Sequence, residues 1–293
     1  MLSRRRWYGA ASRTRTSRRS WAETFYGCSG RRCEQARPRA GGAMSDVAIR
    51  ELHDLDEFNA VLALFTEIWG STPGNEPVTV EQMRALTHAG NYVTGAYRDG
   101  RLVGAAVGFF SAPVGTSLHS HVTGALPGYG AGYLLKLHQR EWALARGLER
   151  ITWTFDPLIR RNAYFNLAKL GGLPEEYLPR FYGSIHDEIN GGDDTDRVLV
   201  GWHLTETRVG ARVPEDARVA LCERDGRPVI GTMDAKTLLV ETPPDIEALR
   251  HTDPGAAQAW RLALREVLGG LLLEGARVTG FHDKSSYVVT RPS

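Results

Sequence analysis

Residues 126–136 read LPGYGAGYLLK, a strand end that runs through three alternating glycines, Gly128, Gly130 and Gly132, into a helix. Successive backbone N–H groups of a glycine-rich turn at a helix N-terminus form a concave donor site for phosphate oxygens. The nucleotide P-loop is excluded, because it needs Lys and then Ser or Thr after its last glycine and here Tyr133 follows Gly132. The dinucleotide fingerprint GxGxxG fits Gly128 and Gly130, with Asp156 at the end of the next strand. Its third glycine falls on Tyr133, where only a small residue lets helix and strand approach closely.

Working outward, DVAIREL reads as a strand and DLDEFNAVLALFTEIWG as an amphipathic helix with Gly70 after it. VTVEQMRALTHAG is a second helix. NYVTGAYRDGRLVGAAVGFF divides at Asp99-Gly100 into a hairpin, and TSLHSHVTGALP follows as a strand. After the glycines come a helix ending at Gly147, the strand ERITWTFDPL, the helix RRNAYFNLAKLGG, and strands expected near Tyr177–Tyr182 and at RVLVGWHL. Residues 206–293 read as a smaller unit with a hairpin at Asp225-Gly226, a long helix from Asp253-Pro254 and a hairpin in RVTGFHDKSSYVV. Two helices and a hairpin precede the glycines, which also argues against a dinucleotide fold, since that fold opens with its βαβ unit.

No apolar run approaches the ~18 residues of a membrane span. With 42% hydrophobic and 24% charged residues, the 293-residue chain has ordinary globular composition. The formal charge of +2 hides an asymmetry: residues 1–43 hold 11 Arg against Glu23 and Glu34, so the rest is acidic. Such a segment reads as a transit peptide, a nucleic-acid arm, or upstream sequence before a start at Met44; the last is favoured, because an ordinary first strand begins just after Met44. Cys28 and Cys33 lie in this segment without the second pair a zinc site needs, and Cys222 is alone in the body. The body therefore suits a reducing cytoplasm.

The element order over residues 46–204 resembles the GCN5-related N-acetyltransferase (GNAT) superfamily. VTGALP, Gly130-Ala131-Gly132 and AYFNLAKLGG carry the likeness, and HSH, WTFDPL, RRNAYFNLAKLG and DRVLVGW together resemble a poorly characterised bacterial subgroup with a C-terminal extension. The resemblance implies an α/β fold of the α+β mixed-sheet type. Its parts are a disordered tail or mis-assigned start (1–43), an N-acyltransferase domain (44–205) and an α+β extension (206–293). It implies direct transfer of an acetyl or other short acyl group from acetyl-CoA, or another acyl-CoA, to a primary amine of a small molecule. No prosthetic group, metal, nucleic acid or membrane is expected. Coenzyme A would run along Gly124, Ala125, Leu126, Gly130, Ala131, Gly132 and Tyr133, with Asn162 and Asn166 reaching the pantetheine or acyl group. The superfamily loop usually has three more residues than this one, where Tyr129 leads straight into Gly130. One alternative is thus a binding module of the same fold that has lost coenzyme A; another is succinyl-CoA-dependent N-acylation of an amino acid. The extension would close the acceptor cleft or form a homodimer contact.

Acyl transfer to an amine needs a base, donors for the oxyanion and a proton for the leaving thiolate. Strand periodicity puts His119, His121 and Thr123 on one face, and a histidine near its reference pKa of ~6.5 suits the base; the competing reading is a pair of packed strand histidines. The superfamily's acidic Tyr falls on Leu167 here, which leaves Tyr164, one turn earlier, as a substitute or as core packing. Asn162 also reads as a helix cap. Arg160 and Arg161 suit a phosphate, an acceptor carboxylate or a solvated helix start. The oxygen-rich run with Asp187, Asn190, Asp193, Asp194 and Asp196 lacks the alternation of a calcium loop. It reads as a polar turn reaching the acceptor, with Arg197 pairing locally.

Overall fold

Each hairpin expected from the sequence places two consecutive residues in left-handed backbone: Asp99 and Gly100, Asp225 and Gly226, Asp283 and Lys284. That turn geometry matches the twist of the strands it joins. The computed structural model describes residues 47–70, 74–183, 193–206 and 212–292. The Arg-rich tail with Cys28 and Cys33, and also Asp187 and Asn190, lie outside these residues.

The first sheet has the order β1-β2-β3-β4-β5-β7-β6. Its strands are β1 (Ala48–Glu51), β2 (Tyr92–Arg98), β3 (Arg101–Ser111), β4 (Ser117–Ala125), β5 (Arg150–Phe155), β6 (Leu173–Leu178) and β7 (Arg197–His203). All neighbours are antiparallel except β4 and β5. Helix α1 (Leu55–Trp69) opens with a capping box of Asp54 and Glu57, and α2 (Val80–His88) with one of Thr79 and Gln82. One face of the sheet packs on α1 through Phe58, Val61 and Phe65, and the other receives Ala131 and Leu135 of α3 (Ala131–Leu144). Close packing explains two strand glycines: a Cβ on Gly104 would lie 3.0 Å from Leu135, and one on Gly124 would lie 2.9 Å from both Phe65 and Trp69. Helix α4 (Arg160–Ala163) continues as a π-helix over Tyr164–Lys169.

A second sheet, of order β11-β12-β10-β8-β9, holds β8 (Arg218–Arg224), β9 (Arg227–Ile230), β10 (Thr237–Glu241), β11 (Arg277–His282) and β12 (Ser286–Thr290). Helix α5 (Ile246–Thr252) leads to α6 (Pro254–Leu264), where Asp253 caps and Pro254 takes the first position. A π-turn over Arg265–Gly269 carries the chain into α7 (Gly270–Leu273). Trp260, Leu264 and Tyr287 belong to the same apolar cluster as Trp153 and Val198, so the two sheets share one core.

A polar tie runs through that core. Asp156, just past β5, receives two bonds from Arg261 of α6 at 2.8 Å and one from Arg250 of α5 at 2.7 Å. Both guanidinium groups also bond Asp193, while Arg265 bonds Asp194 and Asp196. Burial alone would raise the Asp156 pKa, but Arg261 and Arg250 outweigh it and hold the carboxyl well below its ordinary 3.8.

Several local expectations change. The strand expected near Tyr177–Tyr182 lies earlier, at Leu173–Leu178, because an edge strand tolerates Pro174 and bulges after it, and the chain turns at Arg180 with φ 48°. β10 and α5 were not anticipated; TLLVE is too short an apolar run for periodicity to classify. Asn162 caps nothing, since the N-cap of α4 is Ile159. Arg160 bonds Glu241 and Thr242, and Arg161 pairs with Glu247, so neither guanidinium stands ready for a phosphate. The aspartates of the polar turn hold arginines of the extension instead of reaching an acceptor.

Arg261→Ala leaves the buried carboxylates of Asp156 and Asp193 with Arg250 alone to share, so chemical denaturation is expected to show a loss of about 3 kcal/mol. Asp156→Asn with Arg261→Met should cost less than that single change. Because the folded Asp156 pKa is depressed, its contribution is full above about pH 4 and is withdrawn as pH falls further. Acid unfolding of the double variant should accordingly be less steep.

Candidate functional site

The parallel pairing of β4 with β5 spans only Ser117↔Arg150, Leu118↔Ile151 and His119↔Thr152. Beyond it β4 runs on to Ala125 and β5 to Phe155 without pairing to each other, which opens a wedge inside the sheet. Backbone groups facing such a gap lack ladder partners. At the wide end the loop turns into α3 with Gly128 at φ 89° and Gly130 at φ 67°. A Cβ on either would meet nothing within 4 Å, so the left-handed backbone, not space, calls for glycine there. Gly130 is the N-cap of α3 and supplies no side-chain cap, so the first-turn N–H groups of Ala131 and Gly132 keep their donor capacity. Tyr133 turns away and packs edge-on against Phe165.

A β-bulge alters the expected facing of β4. The register with β3 jumps from Val107↔Val122 to Gly108↔Ser120, which leaves His121 as the extra residue. Val122 and Gly124 therefore face α1, whereas Thr123 pairs with Ala106 of the α3-side cluster and shares that side with Ser120. His119 and His121 remain together and flank the Phe109 ring, but Thr123 has left their face. The period-of-two reading fails there because one inserted residue flips every later side chain.

The two histidines differ in environment. His119 is partly buried, its Nδ1 lies 3.0 Å from Thr152 Oγ1, and burial, His121 and Lys136 together push its pKa down to about 4. It is thus a neutral imidazole at neutral pH. His121 is exposed, with Nε2 3.0 Å from the Pro77 carbonyl. A carbonyl only accepts, so Nε2 carries the hydrogen and Nδ1 keeps its lone pair for a proton.

Lys136, on α3, was not anticipated. Its Nζ donates to Ser120 Oγ at 2.8 Å and lies 4.2 Å from the centre of the Trp153 ring. The side chain is 2% exposed and has no carboxylate partner among the described residues, so burial pushes its pKa down to about 7. The available signal was its place beside the stripe Ala131, Leu135, Gln139 and Trp142, all buried; a lysine in a helix reads as solvated by default. Nearby, Thr123 Oγ1, Trp153 Nε1 and both Gln139 amide atoms are buried without hydrogen-bond partners among the described residues.

Asn162 and Asn166 are both buried, and Asn162 Oδ1 also lacks a partner. Tyr164 lies between the ammonium groups of Lys169 and Lys284, toward the turn joining β11 and β12, with no contact to either histidine. Gly124 and Ala125 border the wedge by their backbone, and Leu126 donates to Val103 at 2.8 Å. On the histidine side of β5, Thr154 Oγ1 lies 3.3 Å from Tyr182 Oη, and the Arg197 guanidinium lies over the Tyr182 ring. Arg197 does pair locally, through a bond to the Asp196 carbonyl, but it forms no ion pair with a carboxylate among the described residues. A groove of about 1000 Å³ between α1 and α2 shares no residue with the wedge.

Residues 30–164 match the family model described as an acetyltransferase (GNAT) domain. Among curated proteins no sequence match exists. Similar solved structures include a putative acetyltransferase from Salmonella typhimurium, solved with its cofactor acetyl-CoA, at 15% identity and TM-score 0.45, covering 58% of this chain and 100% of that one. Another is the ribosomal-protein-S18-alanine N-acetyltransferase of Escherichia coli, at 12% identity and TM-score 0.44, covering 57% and 99%. Aminoglycoside 6'-acetyltransferase type Ii is similar at 17% identity and TM-score 0.44, covering 55% and 99%.

The Lys136 environment carries a stability consequence. Its folded pKa of about 7 lies below the ordinary 10.5, so between those values the unfolded chain binds more protons and stability rises with pH. Lys136→Met is expected to stabilise the chain at pH 7 by about 1–3 kcal/mol and to abolish that rise, as read by denaturation at a series of pH values.

Proposed function

Since residues 30–164 match the model of a GNAT acetyltransferase domain, we propose that the chain is an acyl-CoA-dependent N-acyltransferase working in the wedge between β4 and β5. The observation that carries this is the early end of the β4–β5 pairing beside the glycine loop. Two facing rows of strand backbone, with Thr123 and Trp153 unsatisfied, suit an extended chain that brings its own amides, as a pantetheine arm does. The donors of Ala131 and Gly132 at the start of α3 then receive the pyrophosphate. Gly130, Ala131 and Gly132 supply this contact through backbone alone, and Asn162 offers its free Oδ1 to the acyl-pantetheine end.

The acceptor amine approaches from the side of His121. The Nδ1 lone pair of His121 takes a proton, the nitrogen attacks the thioester carbon, and wedge-facing N–H groups of β4 stabilise the oxyanion. His119, neutral and bonded to Thr152, helps hold the acceptor rather than titrate. Tyr164 serves packing next to the extension in this scheme, not proton transfer. Acetyl-CoA is the default donor, and a cytoplasmic place fits the free thiol of Cys222.

One observation favours an acceptor that carries a carboxylate. Asp156, Asp193, Asp194 and Asp196 face Arg180, Arg250, Arg261 and Arg265 in ion pairs, and Arg197, beside Tyr182 and Thr154, has no ion-paired carboxylate among the described residues. Such a cation suits a carboxylate bidentately.

Calorimetric titration of the full chain with acetyl-, propionyl- and succinyl-CoA should show saturable binding of at least one. Gly130→Val, strained at positive φ, should weaken it roughly tenfold or more. No binding of any donor would favour the reading of a module that has lost coenzyme A. His121→Ala should lower kcat about 10²-fold while leaving acyl-CoA affinity intact. In a screen of amino acids against the amines made by removing their carboxyl groups, Arg197→Gln should raise KM for the amino acids only.

A further inference from the structure

Resting on the acyltransferase reading, a chemical gap remains in the reaction. A departing thiolate needs a proton, since a thiol of pKa ~8.5 leaves poorly as the anion in a dry site. The position where the resemblance places a tyrosine acid is Leu167, apolar and 5% exposed. Tyr164 points to the extension.

Lys136 stands where that proton is wanted. By the register of the parallel pair, Ser120 and Trp153 are the first residues of β4 and β5 that fail to pair. The ammonium contacts both of them, through the Ser120 hydroxyl and the Trp153 ring face, and so occupies the apex at which the wedge opens. An ammonium has three donors. Ser120 takes one, and the indole face satisfies the charge without consuming a lone pair, which leaves N–H capacity for a ligand atom. A buried lysine with no carboxylate is costly to a fold, and no packing need in this place requires one: the same stem without the charge would fill the space.

We propose that Lys136 is the acid that protonates the leaving coenzyme A thiolate. The amine nitrogen forms its bond to the acyl carbon, the carbon–sulfur bond breaks with its electron pair passing to sulfur, and a Lys136 N–H proton moves to that sulfur. The products are the amide, free coenzyme A thiol and neutral Lys136, which regains a proton from solvent; the proton lost by the amine leaves through His121. The titratable groups near Lys136 are His119, which lies on the other face of β4 yet feels its charge, with His121 beyond it, and Tyr133 and Arg140 one turn away on its own helix. Arg140 is engaged with the Leu204 carbonyl, β5 presents the Trp153 ring, and β3 presents Gly108 to the neighbouring Gln139. None of these groups is a carboxylate. An alkaline fall in kcat, setting in as pH rises through about 7, is therefore the expected signature of Lys136.

The test uses the full chain, Lys136→Met and Lys136→Arg, with hydroxylamine as a small amine probe and thiol release as the readout. Two donors are compared: acetyl-CoA, and 4-nitrophenyl thioacetate, whose leaving group needs no proton. Lys136→Met is expected to lose about 10²-fold or more in kcat with acetyl-CoA and to lose the alkaline limb. It should keep acetyl-CoA affinity and its rate with the activated thioester within about threefold, and Lys136→Arg should recover part of the loss. Equal losses with both donors, a loss under threefold with acetyl-CoA, or a wild type that binds acetyl-CoA yet transfers nothing to hydroxylamine would overturn the assignment. Absence of binding of acetyl-, propionyl- and succinyl-CoA alike in calorimetry would instead bring down the acyltransferase reading beneath it.

Discussion

The carboxylate of Asp156 leaves the end of β5 and meets Arg261 and Arg250, residues 105 and 94 positions further along the chain. Everything on the far side of the wedge is referred to this contact. Taking such ions out of water costs several kcal/mol each, so the group is sustained only because every carboxylate has at least one guanidinium and bonds come in pairs. Its consequence is positional: β5 is fixed by its β7 neighbour and by α5 and α6, while its β4 neighbour is released after three residue pairs. One half of the sheet is thus anchored to the extension.

The released pair of strands then sets the chemistry on its two sides. Toward α1 lie His119 and His121, one buried and neutral, the other exposed with its tautomer selected by the Pro77 carbonyl. Toward α3 lie Ser120, Trp153 and Lys136. In the proposed reaction the proton acceptor and the proton donor are thus separated by the thickness of one strand, and a thioester passing through the opening would be served from both sides. The loop at the wide end adds backbone donors only, which makes the glycine dihedrals at positions 128 and 130 matter more than any side chain there.

Much of the fold was legible in the residues. The Asp-Gly turns, the helix caps at Asp54, Thr79 and Asp253 and the glycine after α1 are local chemistry, decided within four or five residues. The candidate site was legible in part: the histidines and glycines stand out by type and spacing. Arg160 and Arg161 misled, because a basic helix start looks the same whether it awaits a ligand or meets Glu241 and Glu247 from the extension. Thr123 misled because a one-residue bulge leaves no mark on an alternating pattern.

By itself the sequence determined most of the element order, the turns and the glycine loop opening α3, because dihedral preference and hydrophobic periodicity act over short spans. Only tertiary structure decided that β4 and β5 part after His119 and Thr152, that the aspartates of the polar turn belong to arginines of the extension, and that Lys136 is buried. Those outcomes depend on charges and strand edges brought together across roughly a hundred residues, where desolvation and pairing outweigh any local preference.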